Sequence, residues 1–489
     1  MRSLGRWVGW GHTRKQANVI VEPYRRPPQP PLMALMTADR RIVDERGELV
    51  FLDEFPKTHR AYMSYDTVRR LVDDGYGEAV CWNGEELHWR HERFEDDWKP
   101  RRSDVHVLKL ADGDDDLLTL RALCRWRDWL ASYGAAPTGT TGSAAWSLLR
   151  ATLRGELRTS EPFPSCPPLR STMGGRQALG PAGQGRFAGR LELWDMPSAY
   201  ARELGGMLYG GRWYNASRDI GPVKPEMMEG MARAGYPVFV KALVQVPDGL
   251  GLGPLPRRPR SGWNAAARMA LGCEYPVGRR ILGVWCWEEL RQAVEAGARV
   301  LQLRDYWFHV SETRPFVPWL AAVEQGRKMP GVAGVLAKMT GNALWGRFCM
   351  DSRFGVRTIR SAREGHVPGD RLSSRRLVFR GGQPPAHDLA ETVSGRTRAR
   401  LYGEMVAAGD RLVSAHTDGL WLKAAAPAPP ASLWRCKARA SWIELLTPQT
   451  LRYLPRPARD GARVVFAGMP PALAGEEFEK AWQRAGLAA

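Results

Sequence analysis

Two aspartates and one helical face stand out in this sequence as groups able to do chemistry. The first aspartate ends the apolar, strand-like run Leu191-Glu192-Leu193-Trp194-Asp195 and is followed by Met196-Pro197-Ser198-Ala199-Tyr200. Ser198 is suited to cap a helix that starts behind it, which puts the Asp195 carboxylate at a strand-to-helix corner; an ordinary turn with an N-cap fits the same residues. The second lies in Leu412-Val413-Ser414-Ala415-His416-Thr417-Asp418-Gly419-Leu420-Trp421-Leu422, where two apolar strands flank Thr417-Asp418-Gly419. Asp-Gly is also a strong hairpin-turn signal, so a plain turn reads equally well. The third segment spaces Lys338, Asn342 and Gly346 at i, i+4 and i+8, one face of a helix. A lysine to hold phosphate beside a glycine that admits a flat base pair is what a nucleotide-binding face requires. Val335, Leu336, Met339 and Ala343 are then free to pack behind it. An amphipathic core helix is the plainer reading, but a glycine inside a helix costs about 1 kcal/mol against alanine, so Gly341 and Gly346 need a reason.

Alternating and helical periodicities indicate which elements must position these groups. Leu118, Ala122, Leu123, Trp126 and Leu130 share a face of a helix ending near 132, and a second helix follows around 143–155. Residues 1–105 mix short apolar runs with prolines and charge, as a small irregular α/β module does, and the Pro/Gly-rich stretch 162–189 reads as linker. Strands are expected at 190–194, 237–246, 281–284 and 300–310, with helices after Ser198 and at 287–296, 317–328, 332–348 and 389–407. A hairpin spans 411–423, and a mixed module completes the chain.

With 489 residues the chain is long enough for two to four modules, and 71 Lys+Arg against 52 Asp+Glu leave a formal charge of +19. Such an excess suits a polyanionic partner, because each phosphate neutralised releases counterions; a compositional arginine bias would produce it too. Seven widely spaced cysteines, with no Cys-x-x-Cys pair, argue against a structural zinc site or a disulfide framework. No apolar run approaches the roughly 20 residues of a membrane span, and no secretory signal opens the chain, so a cytoplasmic location without a membrane partner is expected.

In chain order the three segments resemble motifs A, B and C of family B DNA polymerases: Asp-x-x-Ser-x-Tyr, Lys-x-x-x-Asn-x-x-(Tyr)-Gly and (Asp)-Thr-Asp. The likeness covers about residues 170–470 and is nearest to the small protein-primed polymerases of bacteriophages and linear plasmids. Gly174-Gly175 is similar to their Tyr-x-Gly-Gly element, with Thr172 at the tyrosine position. Two departures stand out. His416 replaces the first aspartate of motif C, and Trp345 replaces the motif B tyrosine. No thumb-side Lys-x-Tyr element is clear near 449–453.

The resemblance implies an α+β, multidomain right hand. Its parts would be a shortened N-terminal exonuclease-like α/β domain (1–165), palm (166–250), a first priming-type insertion with palm (251–315), fingers (316–350), a basic second insertion (351–383), palm (384–430) and thumb (431–489). It implies DNA-templated DNA synthesis onto a 3′-hydroxyl, with two Mg²⁺ ions, or Mn²⁺ in their place, held by Asp195, Asp418 and the main-chain carbonyl of Met196. Tyr200, Arg327, Lys328, Lys338, Asn342 and Gly346 would bind the nucleotide, and Gly174, Gly175, Thr417, Arg375 and Arg376 the DNA. Template, primer, deoxynucleotides and a terminal protein primer would be the partners. Proofreading is not expected, since none of the 14 aspartates before residue 190 is followed two positions later by Glu. The Asp114-Asp115-Asp116 run resembles the neighbourhood of the last exonuclease motif but also suits an acidic helix start. A catalytically silent nucleic-acid-binding protein of the same fold, or a polymerase that starts de novo, are the alternatives.

Overall fold

The structure, a computed structural model, describes residues 18–21, 23, 24, 26–36, 41–50, 59–64, 78–82, 86–90, 106–108, 119–137, 139–155, 157–160, 175–210, 212–215, 225–257, 273–349, 356–359, 386–424, 429, 430, 432–448, 450–457, 462–466 and 471–487. The chain divides into two compact units, one made of residues 1–22, 154–317 and 384–463, the other of 23–153, 318–383 and 464–489. Among the described residues no helix is long and apolar enough to cross a membrane.

The first unit is built on a sheet in the order Arg176–Leu179, Leu412–Thr417, Gly419–Lys423, Gly185–Asp195, Arg435–Thr447 and Thr450–Pro455, every neighbouring pair antiparallel. Stretch 176–189, expected as linker, therefore contains one whole strand and the start of another. Gly185 and Gly189, which suggested a loop, take positive φ within or at the start of a strand that bulges between Ala188 and Leu191. Residues 435–455, expected in a separate C-terminal module, continue the sheet that carries Asp195. Met196, Leu401, Met405, Leu412, Ala415, Leu420, Leu422 and Trp434 form the core beneath it. A second, four-stranded antiparallel sheet orders Arg212–Asn215, Arg299–Val310, Val238–Gln245 and Arg280–Cys286.

Helix His387–Ala408 serves this unit as its axis. Residues 388–399 are buried throughout, yet the stretch is polar, whereas a helix buried all round is ordinarily apolar. Its charged groups are partnered. Asp388 accepts from Tyr209 Oη and from Trp213 Nε1 (3.1 Å), while burial pushes its carboxyl up to about 6. Arg396 reaches Glu288 at 2.7 Å and the carbonyl of Tyr236 at 2.8 Å. Arg398 forks onto both oxygens of Glu289 (2.8 and 3.2 Å) and also meets Glu391. The hydroxyls of Thr392 and Thr397 return to carbonyls one turn back.

The second unit holds a mixed sheet in which Leu32–Met36 and His106–Leu108 run parallel to His59–Ser64. The other strands, from Val356–Ile359 to Leu49–Val50, are antiparallel to their neighbours. Helices Leu120–Ser132, Thr141–Thr152, Val317–Gly326, Val332–Cys349 and Pro471–Arg484 belong to it as well. Thr119 caps the first of them by accepting from Ala122 N–H at 3.1 Å. Trp126 Nε1 donates to Thr340 Oγ1 (3.1 Å) and Trp129 Nε1 to the carbonyl of Ala322 (3.2 Å), pinning the helices together through indole nitrogens. Leu118, Asp114 to Asp116, Gly174 and all of 351–383 except Val356–Ile359 lie outside the described residues.

The Arg398 network yields a stability prediction. Arg398→Met leaves Glu289 and Glu391 buried without their cation, and breaking a buried pair from one side costs about 3–5 kcal/mol. The midpoint of urea unfolding should fall accordingly. Removing all three charges together, with Arg398→Met, Glu289→Gln and Glu391→Gln, should cost less than the single change.

Candidate active site

The antiparallel pairing of Gly185–Asp195 with Gly419–Lys423 sets Leu193 opposite Trp421, Trp194 opposite Leu420 and Asp195 opposite Gly419. Asp418 is therefore one residue from the partner of Asp195. Directly opposed Cα atoms in such a ladder are about 4.5–5.5 Å apart, so two carboxylates from different ends of the sequence share one end of the sheet. Met196 N–H donates to the carbonyl of Asp418 at 2.9 Å and closes the corner. The carbonyl of Met196 accepts from Ala199 N–H at 3.2 Å and retains a second lone pair.

The expected hairpin is present, with its turn one residue before the Asp-Gly pair. His416 pairs with Gly419, so the two turn residues are Thr417 and Asp418, not Asp418 and Gly419. Asp418 N–H donates back to the carbonyl of His416 at 2.7 Å, which tightens the turn and leaves Gly419 inside its strand. Thr417 takes φ +57°, and Ser198 takes φ +55°; among the described residues these are the two non-glycine positive values. For a β-branched residue such a conformation is strained. Ser198 also departs from expectation: it makes no side-chain cap bond to helix Ala199–Gly206, and its buried Oγ finds no partner among the described residues.

Gly175 stands where the strand Arg176–Leu179 meets this turn. A Cβ there would lie 2.8 Å from Thr417 Cγ2, 2.9 Å from Thr417 Cα and 3.0 Å from Tyr200 Oη. The first glycine-rich element, the motif C turn and the motif A tyrosine thus touch at one point, and only a residue without a side chain fits between them. His416 is exposed at the turn, and partial desolvation together with the charge of Lys437 holds its imidazole below the ordinary histidine value. The ring is neutral at pH 7 and lies 3.3 Å from Thr417 Oγ1.

Strand Arg435–Thr447 adds cations that the sequence reading missed. Arg435, opposite Asp195, and Lys437 and Arg439 beyond it are all exposed, and the strand bulges at Lys437, between the partners of Trp194 and Leu193. The period-two spacing Arg435-x-Lys437-x-Arg439 was the available signal. Arg439 is partly engaged by Glu192 at 3.2 Å.

Lys338, Asn342 and Gly346 belong to the other unit, on helix Val332–Cys349, with Lys338 and Asn342 exposed as expected. The face behind them is rotated by about one position. Ala333, Leu336, Ala337, Thr340, Gly341, Leu344 and Phe348 are buried, whereas Val335, Met339 and Ala343 are only half-buried. Gly341 has its reason in packing, since a Cβ would come within 2.6 Å of Val323 Cγ1 on the neighbouring helix. Lys328 is exposed, and Arg327 lies 4.0 Å from Glu324.

Among the described residues no group of three or more His, Cys, Asp or Glu side chains gathers to hold a metal. The donor set at the corner is smaller, two carboxylates and a main-chain carbonyl, all hard oxygen donors of the kind that Mg²⁺ takes alongside substrate phosphates and water.

No protein-family model matches the sequence, and no curated protein matches it. Solved structures do. Phi29 DNA polymerase complexed with primer-template DNA and incoming nucleotide substrates is similar with a TM-score of 0.54 at 12% identity, over 91% of this chain and 94% of that one. Its post-translocation complex with primer-template DNA gives 0.52 at 11% identity over 94% of each chain. Its complex with single-stranded DNA gives 0.51 at 10% identity, over 94% and 93%. Over most of its length the chain has the fold of Phi29 DNA polymerase, as the resemblance of its three motifs to family B DNA polymerases implied.

Proposed function

We propose that the chain is a DNA-templated DNA polymerase that adds deoxynucleotides to a 3′-hydroxyl. The observation that carries this reading is the register that brings Asp195 and Asp418 to one corner, locked by the Met196–Asp418 backbone bond. Strain at Thr417 and Ser198, beside the two carboxylates, supports it, because such conformations persist where the surroundings over-determine them, as functional sites do.

Asp195, Asp418 and the carbonyl of Met196 would hold the divalent ions, Mg²⁺ or Mn²⁺. When bound, a metal pair supplies charge stabilisation to the attacking and leaving oxygens of an in-line phosphoryl transfer. The protein's own contribution is positional. Asp195 enters from a strand paired on both sides and Asp418 from a two-residue turn closed by the Met196–Asp418 bond, so the backbone pre-positions both carboxylates. Tyr200 would lie beneath the sugar, held by its contact at Gly175 and Thr417. By the family resemblance, Lys338, Arg327 and Lys328 would neutralise the triphosphate, and Asn342 and Gly346 would shape the base-pair pocket. Gly174, Gly175 and Thr417 would contact template or primer, and Arg375 and Arg376 in the basic insertion would hold duplex phosphates. Priming from a terminal protein, absence of proofreading and the division into palm, fingers, thumb and a shortened exonuclease-like domain follow from the same resemblance. A silent DNA-binding protein of this fold would bind primer-template but add nothing to it.

Asp195→Asn and Asp418→Asn should each reduce nucleotide incorporation by about a thousandfold or more, the loss of about 4 kcal/mol of metal-borne stabilisation, with DNA binding largely kept. Primer extension beside a binding titration checks both; retained incorporation in either variant overturns the site. His416→Ala should be milder, because its neutral ring shapes the turn without holding charge.

Tyr200→Ala opens volume beneath the sugar and should lower the preference for dCTP over CTP opposite template G by about 10–100-fold. Steady-state incorporation of both nucleotides measures it. An unchanged ratio would make Tyr200 a core residue only.

A further inference from the structure

Arg176 is the feature of the first unit that the chemistry above leaves unused. It is buried, with 1% of its surface exposed, and among the described residues no carboxylate pairs with it directly. Its guanidinium sits 3.9 Å from the ring centre of Tyr275 and 4.6 Å from that of Tyr402. Nη2 donates to the carbonyl of Gly253 at 2.6 Å and Nη1 to that of Pro254 at 3.3 Å. Burial pulls its pKa down to about 10, which still leaves it charged at neutral pH. A buried cation held by aromatic faces and peptide oxygens is a costly way to fill a core, since an apolar side chain of similar volume does so with no desolvation penalty. What the charge and the planar fork add is direction: the group reaches two carbonyls on one loop while flat against two rings, a geometry that Lys cannot reproduce.

That geometry ends at the nucleotide corner. The backbone of Arg176 is paired with Thr417, and the preceding residue is Gly175, which meets Thr417 and Tyr200 Oη. Tyr402 Oη also donates to the carbonyl of Leu252 at 3.0 Å, so helix His387–Ala408, loop 252–254 and the first sheet strand are tied through one guanidinium. We infer that Arg176 is a positioning residue for sugar selection, clamping the strand start so that Gly175 and Thr417 hold Tyr200 against the deoxyribose. The inference rests on the polymerase reading and adds a residue to it that touches neither metal nor substrate.

The test compares the unaltered protein with Arg176→Lys, Tyr200→Ala and the double variant, reading thermal melting and the kcat and KM of dCTP and CTP opposite template G. Arg176→Lys should lower the dCTP-over-CTP preference by about tenfold, chiefly through a raised KM for dCTP, as a small misplacement transmitted from outside the site does. In the double variant the two losses should not multiply, because both act through the tyrosine. A folded Arg176→Lys protein with unaltered preference, or losses that multiply in full, overturns the inference. Should Arg176→Lys fail to fold, Tyr402→Phe removes the bond to Leu252 and keeps the ring; a smaller loss of preference is then expected, and none would overturn the inference. If the unaltered protein incorporates no nucleotide, the polymerase reading itself fails, an outcome distinct from the others.

Discussion

The register between strands Gly185–Asp195 and Gly419–Lys423 is the constraint on which the candidate site depends. Side chains alternate along a strand, so a slip of one residue would turn Asp195 to the opposite face and bury it among Leu420 and Leu422. The register is held on both sides. Apolar residues of the hairpin, Leu412, Ala415, Leu420 and Leu422, must meet Leu401 and Met405 of the helix beneath, and Arg435–Thr447 pairs along the other edge of the Asp195 strand. Beyond the last ladder pair the Met196–Asp418 bond takes over, and there the backbone departs from ordinary geometry at Ser198 and Thr417. Strain of about 1–3 kcal/mol at such residues is tolerable where so many neighbours over-determine them.

The helix under this sheet poses an energetic question of its own. A dozen buried residues rich in Asp, Glu, Thr and Arg would be unstable in an apolar surround, since each unpaired polar group costs about 1–3 kcal/mol and an unpaired charge more. The first unit meets this with pairs drawn from distant segments: Tyr209 and Trp213 for Asp388, Glu288 for Arg396, Glu289 for Arg398. Such networks add little net stability over well-packed apolar residues but are intolerant of partial loss. The arrangement favours a helix that sits in one register and one rotation, which the strands above it then inherit. Arg176 extends the same principle toward the site with carbonyls and aromatic rings in place of carboxylates.

Short-range signals in the sequence located most elements that matter here. The periodicity around Val332–Cys349, Trp287–Glu295 and Leu120–Ser132 placed those helices within a few residues, and the apolar runs placed Val238–Gln245 and Arg299–Val310. Two of the three motifs named the residues that meet at the corner, because Asp-x-x-Ser-x-Tyr and His-Thr-Asp are local patterns with local causes. Glycine and proline content misled at 176–189, where glycine serves a bulged strand, and of the two readings open at 417–419 the structure has the strands flanking a Thr417-Asp418 turn.

What the sequence by itself determined is the identity of the chemical groups, the charge that suits a polyanion and the type of most elements, since these rest on residue chemistry and on periods of 2 and 3.6. The tertiary structure alone decided which groups meet. Asp195 and Asp418 are 223 residues apart, and nothing local in either segment encodes the pairing. The same holds for Gly175 against Tyr200, for Gly341 against Val323 and for a buried Arg176 that reads in sequence as one more surface arginine. Each of these depends on how distant surfaces fit, because close packing and hydrogen-bond satisfaction are properties of the assembled unit, and no window of the chain carries them.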